Sequence, residues 1–249
     1  MGWLPEQVAG RLALLQSTFA ISHESIYRFI YAQLARTQDY RWRHYLPRAK
    51  SRRGWTRRAH RPMEHIKNRV SIEKRPRYIN KRRQMGHWEA DLLLLSDKKH
   101  NLLVATERRS RFTFIASQNG KAAQPTVDRL RQWLQPLPPD LRRTLTQDNG
   151  PEFFLHHQLN PLGIKTFFCD PRRPWQKGGV ENMNGRIRRY IPRKTKPESL
   201  SHDDIQHLAN RLNSTPRKCL GFKTPAEVFS AYLKPLHFVC ESTSQPSLA

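Results

Sequence analysis

The chain has 249 residues, 37% of them hydrophobic, enough for one sizeable core plus a smaller module. Its formal net charge of +25 favours a polyanionic partner, nucleic acid before a membrane surface, since no long basic amphipathic helix stands out. No run of about 18 apolar residues occurs, which excludes a helical membrane span, and the three widely spaced cysteines (Cys169, Cys219, Cys240) form no CxxC pair of the zinc-site kind.

The opening MGWLPEQVAG lacks the basic start and apolar centre of a signal peptide. With the odd cysteine count this fits a reducing cytoplasm, and with the charge a nucleoid-associated protein. The charge is uneven: residues 41–83 hold 17 Lys and Arg against Glu64 and Glu73. Such a segment neutralises phosphates, releases counterions and makes binding steeply salt-dependent.

Two helices are expected within residues 4–33. Pro5 and Glu6 suit a first turn, and Val8, Leu12 and Leu15 recur at helical spacing. Ser22 is the expected cap of the second helix, whose apolar stripe is Ile26, Phe29 and Ile30 and whose Arg28 projects elsewhere. The pair, residues 1–35, reads as a helix-turn-helix module. Residues 36–85 read as a basic linker: Pro47, Pro62 and Pro76 among Arg clusters argue against a packed unit, and Arg52, Arg53, Arg57 and Arg58 are candidate DNA contacts. Trp42 and Trp55 are candidates for base stacking.

From Gly86 the pattern changes to strands at His87–Leu95, Asn101–Thr106 and Arg111–Ser117, an antiparallel meander. A helix follows over about 125–135, stopped by Pro136 and Pro138-Pro139. A fourth strand, Arg142–Gln147, ends at an Asn149-Gly150 turn, PEFFLHHQL starts a short helix, and KTFFC is a fifth strand. Helices are expected from Glu181 to about Tyr190, over 203–213 and over 225–233. The order is that of an α/β, RNase H-like five-stranded mixed sheet with flanking helices. The core spans 86–234, and 235–249 is a polar, flexible tail.

Few acids fall inside this core. Asp91 sits in a strand just before four leucines, where a carboxylate calls for a partner, a proton or a metal. Glu89 shares its face by strand alternation and is the rival. Asp148 ends a strand and Glu181 opens a helix. Carboxylates brought together from different rigid elements are what divalent cations require. Arg172, Arg173 and Lys177 in the loop before the Glu181 helix, and Arg188 and Arg189 on it, are candidate phosphate contacts. Gly185, one turn beyond Glu181, would admit a DNA backbone. The adjacent His156-His157 is a weaker metal candidate.

The stretches GHWEADL (86–92), TQDNGPEF (146–153), WQKGGVENMNGRIRRYIPR (175–193) and LNSTPRKCLGFKTPAEVF (212–229), with WLPEQVAGRL and ISHESIYRFIY near the start, resemble the DDE transposases of insertion sequences, specifically the IS-thirty family. The resemblance covers about residues 3–234. It implies a retroviral-integrase-type catalytic core whose acidic triad is Asp91, Asp148 and Glu181, and it favours Asp91 over Glu89. It implies two Mg²⁺ (or Mn²⁺) ions held by that triad, and double-stranded DNA, both element ends and target, as substrate. Hydrolysis at the element's end would free a 3′-hydroxyl that attacks a second phosphodiester. Joining two ends implies a homodimer or larger assembly on DNA. Relatives carry a further N-terminal helix-turn-helix region, so the chain is expected to start inside the second module. The alternatives are a truncated, non-catalytic DNA-binding relic or repressor, and an RNase H-type nuclease.

Overall fold

The computed structural model describes residues 3–16, 19–37, 39, 41–42, 66–97, 99–170 and 173–237. These fall into two units. One comprises the described residues up to 42 with 214–228, the other 66–213 with 229–237.

In the larger unit, strand β1 (His87–Leu94) shows why the sheet is two-sided. Side chains alternate across a strand. Trp88 and Ala90 enter one apolar cluster with Val127, Leu130 and Leu134 of helix α3 (Ala123–Leu134). Leu93 and the following Leu95 enter the other, against Val180, Met183 and Ile187 of helix α4 (Gly178–Ile187) and Ile205 and Leu208 of helix α5 (His202–Asn213). Glu89 and Asp91 share the parity of Leu93 and so face the α4 side.

Strands β2 (His100–Glu107) and β3 (Thr113–Asn119) complete the antiparallel meander. Strands β4 (Thr144–Gln147) and β5 (Lys165–Phe168) lie parallel to β1 on its other side, giving the order β3-β2-β1-β4-β5. This is the expected five-stranded mixed sheet with helices on both faces. The third strand starts two residues later than expected because Arg111 takes a left-handed conformation (φ 65°) and prolongs the turn. The expected helix after Pro151 is instead a pair of 3-10 segments, Pro151–Phe153 and His156–Leu162, the second containing Pro161 and stopped by Gly163 at φ 78°.

The packed unit begins twenty residues before the expected boundary at Gly86. Ile66, Ile72, Ile79 and Met85 are buried. The Phe168 N–H donates to Val70 O at 2.8 Å, and Ser71 bridges to Phe168, so this segment covers the edge of β5. These residues are core rather than linker, because four apolar side chains spaced among the arginines suffice to anchor them.

In the smaller unit, α1 (Pro5–Leu14) and α2 (His23–Thr37) are the two expected helices. Ser22 Oγ accepts from the Ser25 N–H at 3.0 Å, the expected cap. The stripe assigned to α1 is not buried throughout, since Leu15 is exposed. Besides α2, it packs on residues 214–228, which sequence reading assigned to the core. Gln7 Nε2 donates to Pro216 O at 2.7 Å, Arg11 pairs with Glu227, and Gly10 lies against the Phe222 ring so closely that a Cβ would sit 2.3 Å from it. A last helix, α6 (Pro225–His237), returns Phe229 to the stack of Trp88 and Phe112. Among the described residues no helix is long and apolar enough to cross a membrane.

Candidate active site

Parallel pairing brings Asp91 and Asp148 together. His87 lies opposite Thr144 and Glu89 opposite Thr146. Two more steps along each chain put Asp91 beside Asp148, just past the end of β4. The Lys177 ammonium lies between them, donating to Asp91 Oδ1 at 2.8 Å and to Asp148 Oδ2 at 3.1 Å. Asn184 Nδ2, two turns further along α4, donates to Asp91 Oδ2 at 2.8 Å. Asp148 Oδ1 accepts from the Gly150 N–H at 3.2 Å, so the same carboxylate forms the turn and faces the site. Gly150 needs no left-handed backbone here (φ −72°), and Asn149 instead ties β4 to β5 through the Cys169 carbonyl at 2.7 Å.

Burial raises the Asp91 carboxyl above its usual range, an effect that Lys177 opposes and Asp148 reinforces. Burial works against the Lys177 charge, but the two carboxylates outweigh it and raise its pKa. The arrangement is therefore one cation shared by two acids from different strands. Carboxylate oxygens that converge on an ammonium at these distances form a donor set of the kind a divalent cation takes. Asp91 and Asp148 fit that role.

Glu181 does not join them directly. It is exposed on the first turn of α4, and burial raises its pKa, with Lys177 pulling it down and Asp91 and Glu89 adding to the rise. Among the described residues no group of three or more His, Cys, Asp or Glu side chains gathers as a metal site. Glu89 has a different task. It is buried in an ion pair with Arg108, and its Oε2 accepts the Val180 N–H at 2.8 Å, fixing the start of α4.

The basic candidates separate. Lys177 is buried between the acids rather than displayed in a solvated loop. Arg188 is half-buried and donates to the Leu94 carbonyl at the end of β1, so it serves the packing of α4. Arg189 is exposed, Arg173 lies near Asp170 and Glu73, and Arg28 is exposed beside Glu24. Arg52, Arg53, Arg57, Arg58, Arg172 and Trp55 lie outside the described residues. His156 bonds Thr166 Oγ1 and the Lys67 carbonyl through its two ring nitrogens, which leaves neither for a metal.

Sequence reasoning missed Asn184 and the role of Lys177. A partial signal existed for Asn184, which stands three residues beyond Glu181 and so on a neighbouring part of the same helix surface. It also missed Glu152, a buried carboxyl with Oε2 unpartnered, held protonated to higher pH by burial and by the charges of Asp148 and Asp91.

No protein-family profile matches the chain. Individual relatives do. The chain is 33% identical over 93% of its length to the transposase for insertion sequence element IS1086 of Cupriavidus metallidurans, covering 69% of that protein. It is 34% identical to the transposase for element IS4351 of Bacteroides fragilis, again covering 69% of it. The chain belongs to the IS-thirty family of insertion-sequence transposases. Another family member, transposase InsI of element IS30A of Escherichia coli, is 37% identical over 92% of the chain, which spans 61% of that relative's length. The catalytic core domain of BIV integrase overlays 61% of the chain, and 98% of its own, at 20% identity and a TM-score of 0.48.

Proposed function

We propose that this IS-thirty family chain carries the chemistry of a DNA transposase, a metal-dependent strand transferase that cuts at the ends of an insertion sequence and joins them to a target. The observation that supports this best is the convergence of Asp91 and Asp148 on a single cationic position. In this reading Asp91, Asp148 and Glu181 hold Mg²⁺ or Mn²⁺, two ions in all, with Glu181 turning in from its exposed place on α4. Bound there, the ions supply charge stabilisation to both the attacking and the leaving oxygen of phosphoryl transfer.

The chain's own residues then have definite tasks. Asn184 holds the Asp91 carboxylate in orientation through its 2.8 Å bond. The exposed Arg28, Arg173 and Arg189, with the basic run before Ile66, contact duplex phosphates. In hydrolysis, water adds at phosphorus as the bond to the 3′ oxygen breaks, and a proton from the water ends on that oxygen. The freed 3′-hydroxyl then adds to a second phosphorus as the bond from that phosphorus to its own 3′ oxygen breaks, and the departing 3′ oxygen takes up the proton that the attacking hydroxyl loses. Coordinating two ends calls for at least a homodimer on DNA, acting at the nucleoid in the cytoplasm.

Incubation with labelled duplexes carrying the element's ends, plus Mg²⁺, is expected to give nicked and joined products. Asp91→Asn, Asp148→Asn and Glu181→Gln are expected to abolish them while the protein still binds DNA. Asn184→Ala should reduce them by about 10- to 100-fold. Undiminished products in all three carboxylate variants would refute the reading. A binding-only relic or repressor is favoured by one observation, the exposed position of Glu181, and it predicts DNA binding with no Mg²⁺-dependent product.

A further inference from the structure

Beside the carboxylate pair lies a second feature that the strand-transfer chemistry does not use. A cavity of about 440 Å³ is lined by four arginines, Arg75, Arg77, Arg82 and Arg108, with Glu73 and Glu89 as the acids on its wall. Gln176 and Gly178, the neighbours of Lys177, also line it. Glu89 stands two residues before Asp91 on the same face of β1, so cavity and pair share one side of the sheet.

Two of the arginines are more than nine-tenths buried. Arg75 donates to Thr146 Oγ1 at 2.9 Å and to Asn80 Oδ1 at 2.6 Å, and Arg108 to Glu89. Yet Nε of each has no hydrogen-bond partner. A buried N–H without an acceptor is costly and demands an explanation. The acids do not supply one: Glu89 is engaged with Arg108 and the Val180 N–H, and Glu73 faces Arg173. Burial and the neighbouring Arg108 charge push the Arg75 guanidinium down to about 10, with Glu89 opposing the fall. Arg77, exposed on the rim, has no ion-pair partner among the described residues.

We propose that this cavity binds one backbone phosphate of the DNA strand that crosses the carboxylate pair. Guanidinium forks match the oxygens of a phosphodiester, and an anion seated here meets the positive charge of the four arginines that line the cavity. The site would hold the strand in register, so that the phosphodiester over Asp91 and Asp148 is set by a contact beside it. This rests on the transposase reading above and adds to it a specific subsite.

The test uses the full chain, with Ca²⁺ in place of Mg²⁺ to suppress cutting, and duplexes in which single phosphates are replaced in turn by neutral methylphosphonate. Binding is followed by fluorescence anisotropy. At one position the replacement is expected to weaken binding by about tenfold in the wild type. In Arg77→Ala/Arg82→Asn, whose substitutions lie on the exposed rim, that position is expected to lose its effect while other positions keep theirs. Asparagine is chosen because Arg82 has a φ of 54°. Far-ultraviolet circular dichroism confirms that the variant is folded. An unchanged position profile in the variant overturns the subsite and leaves the transposase reading standing, provided the wild type still cuts with Mg²⁺. Absence of any binding to duplex DNA overturns both.

Discussion

Lys177 Nζ stands 2.8 Å from Asp91 Oδ1, so the residue just before α4 is locked to the middle of β1 by a buried ion pair, which Asp148 shares at 3.1 Å. An ammonium and a divalent cation cannot occupy one position. In Lys177→Met the two carboxylates lose their shared counter-charge, and without metal the protein is expected to lose about 3 kcal/mol of stability, the scale of breaking a buried pair. Added Mn²⁺ should restore much of that loss, and should raise the melting temperature of the variant more than that of the wild type, where the ion must first displace the lysine. Thermal melts with and without MnCl₂ check this. Equal shifts in the two proteins would show that metal and lysine do not compete.

The second prediction concerns acid. His87 is buried at the start of β1, its ring bonded to Thr144 Oγ1 at 2.8 Å and Gln84 Oε1 at 3.2 Å. Burial, with the charges of Arg108, Arg143 and Arg75 around it, pushes its pKa down to about 4 from 6.5. The unfolded chain therefore takes up this proton first. The contribution to stability is complete above about pH 6.5 and is lost as pH falls toward 4. Between pH 7 and pH 5 the loss from this one group is about 2 kcal/mol. Urea titrations at the two pH values, on wild type and His87→Gln, isolate it: the variant's loss should be smaller by about that amount. An equal loss in both would place the acid sensitivity elsewhere.

What could be read from the sequence was what local pattern encodes. The alternation Trp88, Ala90 against Glu89, Asp91, Leu93 announced a two-sided strand, and strand order followed from turn residues. The neighbourhood of Asp91 and Asp148 follows from that order, because β4 must run parallel beside β1 for the two to meet. Lys177 was hidden because, in a run with two arginines and two glycines, a buried lysine looks like a solvated one. Its partners lie 86 and 29 residues away. The segment from Ile66 to Met85 was hidden for a related reason. Its charge suggests a linker, and its four anchoring apolar residues have no helix or strand period. The packing of 214–228 on α1 joins positions some 200 residues apart, and no local signal announces it.

Cysteine reactivity gives a third prediction. Cys169 is buried at the end of β5, and burial raises its pKa to about 11, whereas Cys219 is exposed. The thiolate is the reactive form, so iodoacetamide at pH 8 should label Cys219 in the folded protein and leave Cys169 untouched until denaturant is added. Peptide mass mapping before and after denaturation decides it. Rapid labelling of Cys169 under native conditions would mean that the β5 edge opens readily.

The last prediction compares two glycines of α4. A Cβ on Gly179 would lie 2.6 Å from Glu89 Oε2, the oxygen that accepts the Val180 N–H, and Glu89 is itself held by Arg108. Gly179→Ala therefore forces apart a buried, fully engaged carboxylate and the start of the helix that carries Asn184. A loss of about 1–3 kcal/mol is expected. At Gly185 a Cβ would meet nothing within 4 Å. Packing does not require glycine there, and alanine should stabilise the helix by about 0.5–1 kcal/mol. If Gly185 instead serves the close approach of a DNA backbone, Gly185→Ala will be more stable yet bind duplex DNA more weakly. Urea unfolding and anisotropy on the same samples separate the two effects. A stabilised Gly185→Ala protein with unchanged DNA affinity would remove Gly185 from the DNA-facing surface, while leaving Gly179 as the glycine that the fold itself demands.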